Sequence, residues 1–161
     1  MPDLQLTLID QLIKPEYHYL DNQDYCYFIH QYTVDPQKNK QSWEYSKTNQ
    51  AIYNLKKPKG ARGYEYKASS IEKFSNDLRE IFNQADISNY AFVPMPPSKV
   101  KGDDAYDDRI VQICRKVFND RAVELVEQTQ NRYAAHASGN RESPDEKIKN
   151  LRLLPHTHSF Q

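Results

Sequence analysis

The sequence predicts an α/β fold built on a parallel sheet, preceded by an N-terminal β-rich extension. Two observations carry this. From Ser69 onward, amphipathic helical patterns alternate with short apolar runs, the order in which parallel strands are joined by right-handed crossovers. Ahead of that, residues 25–34 (YCYFIHQYTV) are dense in aromatic and β-branched side chains, a strand composition. At 161 residues the chain is long enough for one domain with a real core. The expected division is an N-terminal β-rich region, 1–68, and an α/β core, 69–161, packed as one unit.

Residues 3–13 alternate first and then turn helical, so their state stays open. Residues 35–48 are polar and turn-rich, a connection. Residues 51–55 fit a strand or a short helix leading into KKPKGARGYEYK. Ser69 and Glu72 have capping-box spacing, and Ile71, Phe74, Leu78, Ile81 and Phe82 follow on one helical face. Residues 90–93 form a short apolar strand. Residues 105–118 form a second helix, with Ile110, Ile113, Cys114, Val117 and Phe118 on one side. Residues 122–126 form another strand, and Ser143, Pro144 and Glu146 mark a third helix start.

Composition narrows the function. Hydrophobic residues make up 38% of the chain and mean hydropathy is −0.92, polar but still globular. The 12 Tyr and 6 Phe supply much of the buriable area. Lysine plus arginine equals aspartate plus glutamate, at 22 each, so no global field favours DNA or a membrane. Cys26 and Cys114 read as small buried hydrophobes without a disulfide. No apolar run approaches the roughly 20 residues of a membrane span, and the start lacks a signal pattern. A cytoplasmic protein is expected.

In an open parallel sheet, ligands bind beyond the carboxyl ends of the strands. Two loops fall there. PMPPSKVK follows residues 90–93 and offers Pro97, Ser98, Lys99 and Lys101 to an anion. EQTQNRYAAHASGNRESPDEK follows residues 122–126 and carries Arg132, His136, Ser138, Asn140 and Arg141. Each also reads as a plain connector with solvated cations. A third basic stretch, residues 56–67, holds five cations against Glu65 alone. There Lys56, Lys57, Lys59 and Arg62 sit beside Tyr64 and Tyr66, a composition suited to stacking and phosphate contact with a nucleic acid or an acidic partner.

Other chemistries find little support. His156 and His158 are too few for a metal. No serine–histidine–aspartate arrangement is marked, and a buried Cys114 is no nucleophile. Asp103, Asp104, Asp107 and Asp108 fit magnesium, or more simply the acidic first turn of a helix.

FVPMPPSK, then YDDR and an amphipathic helix, resembles the first core strand and pyrophosphate loop of type I phosphoribosyltransferases, and the competence-associated ComF-like proteins in particular. VEQTQNRYAAHASGNRESPDEKIKNLRL resembles that group's flexible-loop region, with Thr129, Gln130, Arg141 and Asn150 in the matching positions. NQAIYNLKKPKGARG is similar to the N-terminal region of related bacterial proteins, so the resemblance spans roughly residues 25–153. It implies a phosphoribosyl pyrophosphate ligand carried with magnesium. Ser98, Lys99 and Lys101 would hold the pyrophosphate, and Arg141 or His136 would neutralise the leaving group. It also implies an acidic-pair strand with a threonine- and glycine-containing loop for the ribose 5′-phosphate. No such element follows Leu153, so the implied sheet is incomplete at the C-terminus and transferase activity is not expected of this chain alone. Proteins resembling this family also occur beside other genes in bacterial antiviral defence systems such as retrons. That leaves a non-catalytic accessory module, binding protein or nucleic acid, as the alternative.

Overall fold

The computed structural model of the chain describes residues 6–9, 23–32, 46–132 and 143–155. Three helices form its centre. Helix α1, Lys47–Leu55, starts where the Ser46 hydroxyl accepts a hydrogen bond from the Asn49 N–H at 3.0 Å. Helix α2, Tyr66–Phe82, packs on α1 and on α3, Arg109–Phe118. Leu55, Ile71 and Ile113, one from each helix, form the buried core, with Phe74 and Leu78 packed against it. Phe82, Phe92 and Phe118 extend it, with Phe92 stacked on Phe118 at 3.5 Å and Phe82 edge-on to both.

The predicted parallel sheet does not form. The described residues hold two separate antiparallel pairs instead. Strand β1, Thr7–Leu8, pairs with β2, Tyr27–Phe28; strand β3, Val126–Gln128, pairs with β4, Leu151–Leu153. Segments 90–93 and 122–126 touch in the parallel sense only at an isolated bridge between Phe92 and Ala122. Phe92 N–H donates to the Arg121 carbonyl at 2.8 Å, and Val123 N–H to the Phe92 carbonyl at 3.0 Å.

The physical reason lies in the sequence on either side of that bridge. Pro94, Pro96 and Pro97 have no N–H to donate, so the ladder stops after Phe92. Parallel sheets also need both faces covered. Tyr90 is 63% exposed and Val93 38% exposed, so this is no buried strand. Downstream, the short helix α4, Pro144–Lys149, turns the chain back so that β4 pairs with β3 from the antiparallel side.

Among its described residues the N-terminal region is not β-rich either. Within the predicted strand 25–34, only Tyr27–Phe28 is strand among the described residues, and residues 33 and 34 lie outside them. Residues 51–55 belong to α1. Helix α2 begins before Ser69, whose hydroxyl donates to the Tyr66 carbonyl at 2.8 Å inside the first turn, so no capping box forms with Glu72. Helix α3 begins at Arg109, which leaves the four aspartates ahead of it rather than in its first turn. Its buried residues are Val111, Ile113 and Phe118, while Ile110 is 41% exposed.

The start of α4 is as the sequence indicates. Ser143 accepts from the Glu146 N–H, Glu146 accepts from the Ser143 N–H, and Pro144 opens the helix. Cys26 and Cys114 are both free thiols and half-buried, and burial pushes the Cys114 thiol up. No helix among the described residues is long and apolar enough to cross a membrane.

Candidate functional site

Two of the basic segments picked from sequence converge. A cavity of about 800 Å³ lies between the residues after α1, the first turns of α2, the proline turn and the start of α3. Lys56, Lys59 and Tyr64 come to it from the basic stretch, and Pro97, Ser98 and Lys99 from the proline turn. Asp104, Tyr106 and Asp108 line it from the segment leading into α3. The volume is that of an ordinary small-ligand site.

Its inner wall is a fixed ionic lattice. Lys67 is only 7% exposed, and its ammonium donates to Asp107 Oδ2 at 2.6 Å and to the Lys57 carbonyl at 3.0 Å. Arg109 donates to the same Asp107 oxygen at 2.8 Å and to the Leu55 carbonyl at 3.4 Å. One carboxylate thus ties the end of α1 to the starts of α2 and α3. On the far side, Lys116 and Arg79 both reach Glu72, and the Lys116 hydrogen bond chiefly holds that carboxyl below the ordinary glutamate range. The sequence places Lys67 in the basic stretch and Asp107 among the aspartates ahead of α3 without pointing to their pairing. A signal for the burial of Lys67 was present, because Lys67 shares one helical face with Ile71, Phe74 and Leu78.

The rim differs. Lys56 and Lys59 are exposed and make no ion pair among the described residues. Asp104 and Asp108 line the same cavity, and Asp108 accepts from the Gln112 side chain at 2.6 Å. Glu65 and Glu72 line it as well, so the lining carries both signs of charge.

The proline turn is held from behind by the segment after β3. Arg132 N–H donates to the Ser98 carbonyl at 2.8 Å, and Val100 N–H to Asn131 Oδ1 at 2.9 Å. The Asn131 amide donates in turn to Asp103 at 2.6 Å. Asp103 lies below the usual carboxylate range, chiefly because it accepts the Ala105 N–H, then through Asn131, with Lys99 contributing. Thr129 is bonded to Asn150 twice, by its N–H at 2.8 Å and its hydroxyl at 3.1 Å, both to the Asn150 carbonyl.

Lys101 does not join the cavity. Its ammonium pairs with Glu124 at 2.8 Å, a hydrogen bond that raises its pKa, beside a separate void of about 10 Å³ lined by Pro97, Tyr106 and Gln128. Arg62 is exposed and lines neither space. Lys57 and Tyr66 line another cavity, with Gln50, Tyr53 and Asn54. His136 and Arg141, expected to do catalytic work, lie outside the described residues, as do His156 and His158. No three His, Cys, Asp or Glu side chains among the described residues group to hold a metal ion. Comparison with protein families, with curated proteins and with solved structures finds no match to the chain.

Proposed function

We propose that the chain binds a phosphorylated ribose ligand of the phosphoribosyl pyrophosphate class in the 800 Å³ cavity. The observation that carries the reading is the convergence of Lys56 and Lys59 with Lys99, from a distant segment, on one cavity that Asp104 and Asp108 also line. Charge-assisted hydrogen bonds from lysine to phosphate are the strong ones, and carboxylates accept from ribose hydroxyls. Tyr64 and Tyr106 add flat apolar area to the lining. The resemblance of FVPMPPSK to a pyrophosphate loop points to the same ligand class. The reading is one of binding; the antiparallel strand pairs supply no second phosphate loop, and no transfer step is assigned.

A thermal-shift titration tests it. Saturating phosphoribosyl pyrophosphate is expected to raise Tm by several degrees, since ligand at about 100 times Kd adds about 2.7 kcal/mol. Ribose 5-phosphate is expected to do less. Replacing Lys56, Lys59 and Lys99 together by alanine should abolish the shift. An unmoved Tm in the wild type, or an equal shift in the triple variant, would refute the reading.

A further inference from the structure

The outer face of α1 carries a second site. Gln50, Tyr53 and Asn54 stand at i, i+3 and i+4, and Lys57 follows just past the helix end. With Tyr66 they line a cavity of about 260 Å³, smaller than a typical drug site and suited to one flat heterocycle. Tyr53 is 50% exposed and Tyr66 55% exposed, so both rings present area to solvent rather than to the core. The Lys57 ammonium lies 5.1 Å from the Tyr53 ring centre and 5.3 Å from that of Tyr66.

A glycine leaves room for that lysine. Gly63 has φ of +79°, and a Cβ there would lie 2.4 Å from Lys57 Nζ and 3.2 Å from the Tyr66 ring. The chain therefore keeps an open backbone position where the ammonium and the ring meet. Lys57 N–H is itself bound to the Asn54 carbonyl at 3.2 Å. The side-chain amides of Gln50 and Asn54 make no hydrogen bond among the described residues. Two tyrosine rings, the ammonium between them and two side-chain amides thus line one small cavity.

We propose that this shelf binds an unpaired nucleobase of single-stranded nucleic acid. A base stacks on Tyr53 or Tyr66, the amides meet its edge, and Lys57 takes the adjoining phosphate. Stacking of this kind tolerates sequence, because every base has a π-face. Charge complementarity favours a polyanion here, since the exposed Lys56, Lys59 and Arg62 flank Lys57 in sequence with Glu65 the one carboxylate of residues 56–67, Lys67 being taken up by Asp107. The bases of a duplex are stacked on one another and have no face to offer, so a single strand is the occupant. The site shares none of its five lining residues with the phosphate cavity, and the two readings stand or fall apart.

Fluorescence anisotropy of a labelled oligo-dT 20-mer tests the proposal, with its duplex and polyglutamate as competitors. The wild type should bind the single strand at least tenfold more tightly than the duplex. Tyr53→Ala and Tyr66→Ala should each weaken binding about tenfold, while Tyr53→Phe and Tyr66→Phe stay within about twofold. Circular dichroism melts of all four variants should match the wild type, because both rings are exposed. No binding of the 20-mer, equal binding of the duplex, equal competition by polyglutamate, or alanine variants that bind as the wild type would each overturn it. Phosphoribosyl pyrophosphate should not displace the 20-mer, and displacement would place both ligands on one surface and overturn the separate shelf.

Discussion

Lys67 and Lys59 belong to one basic stretch yet do different things. Lys67 is in the inner wall, buried and bound to Asp107 and the Lys57 carbonyl. Lys59 is on the rim, exposed, with no ion pair among the described residues. Local charge alone does not reveal the difference; position on a helix face does. Lys67 falls on the apolar face of α2, where its ammonium must find partners, whereas Lys56 and Lys59 follow the end of α1 and stay in water. The wall charges hold three helices together, and the rim charges are left for a ligand.

The largest expected effect comes from breaking the wall. Asp107→Ala strands Lys67 as a buried unpaired cation, and urea unfolding should show a loss of about 2 kcal/mol, below the full cost of a buried pair because Asp107 is partly exposed. Lys67→Met, which removes the buried charge and leaves Asp107 to Arg109, should cost less than about 1 kcal/mol. If Lys67→Met is the more damaging, the lattice is not what orders the wall.

An intermediate effect concerns the pH response at α4, away from the cavity. Glu146 accepts the Ser143 N–H, and that bond holds its carboxyl below the ordinary glutamate value of 4.5. The folded form is thus the stronger acid. The cap contributes above that ordinary value and is lost as pH falls through the lower folded one. Amide protection across Pro144–Lys149, taken relative to intrinsic exchange at each pH, should fall on acidification, and Glu146→Gln should flatten that dependence.

The smallest effect sharpens the contrast from the other side. Lys56→Ala with Lys59→Ala should leave unfolding free energy within about 0.5 kcal/mol, the usual range for surface changes. A loss comparable to that of Asp107→Ala would make the rim part of the scaffold.

The helical half of the fold was legible in the sequence. The spacing of Ile71, Phe74 and Leu78 marks the face of α2 that meets Leu55 and Ile113, and Ser143 with Glu146 marks the start of α4. Ser69 misled because a serine with glutamate three residues on looks the same inside a helix as at its start. The sheet was misread because alternation of helices and apolar runs does not say which edges pair. Phe92 has the composition of a strand and three prolines to prevent one. Each basic segment was visible separately, while their convergence depends on how α1, α2 and α3 pack over long sequence distances. The pairing of Lys101 with Glu124, which removes that lysine from the cavity, had no local signal.

The most direct test is a calorimetric titration of phosphoribosyl pyrophosphate into the wild type and into the Lys56→Ala/Lys59→Ala/Lys99→Ala variant at the same low salt. Saturable binding at one site per chain is expected in the wild type. The triple variant should bind at least about a hundredfold more weakly, since charge-assisted bonds contribute roughly 1.5–3 kcal/mol each, while its unfolding curve stays unchanged. Equal binding by both proteins, or none by the wild type, would contradict the assignment of the rim lysines to a phosphate ligand.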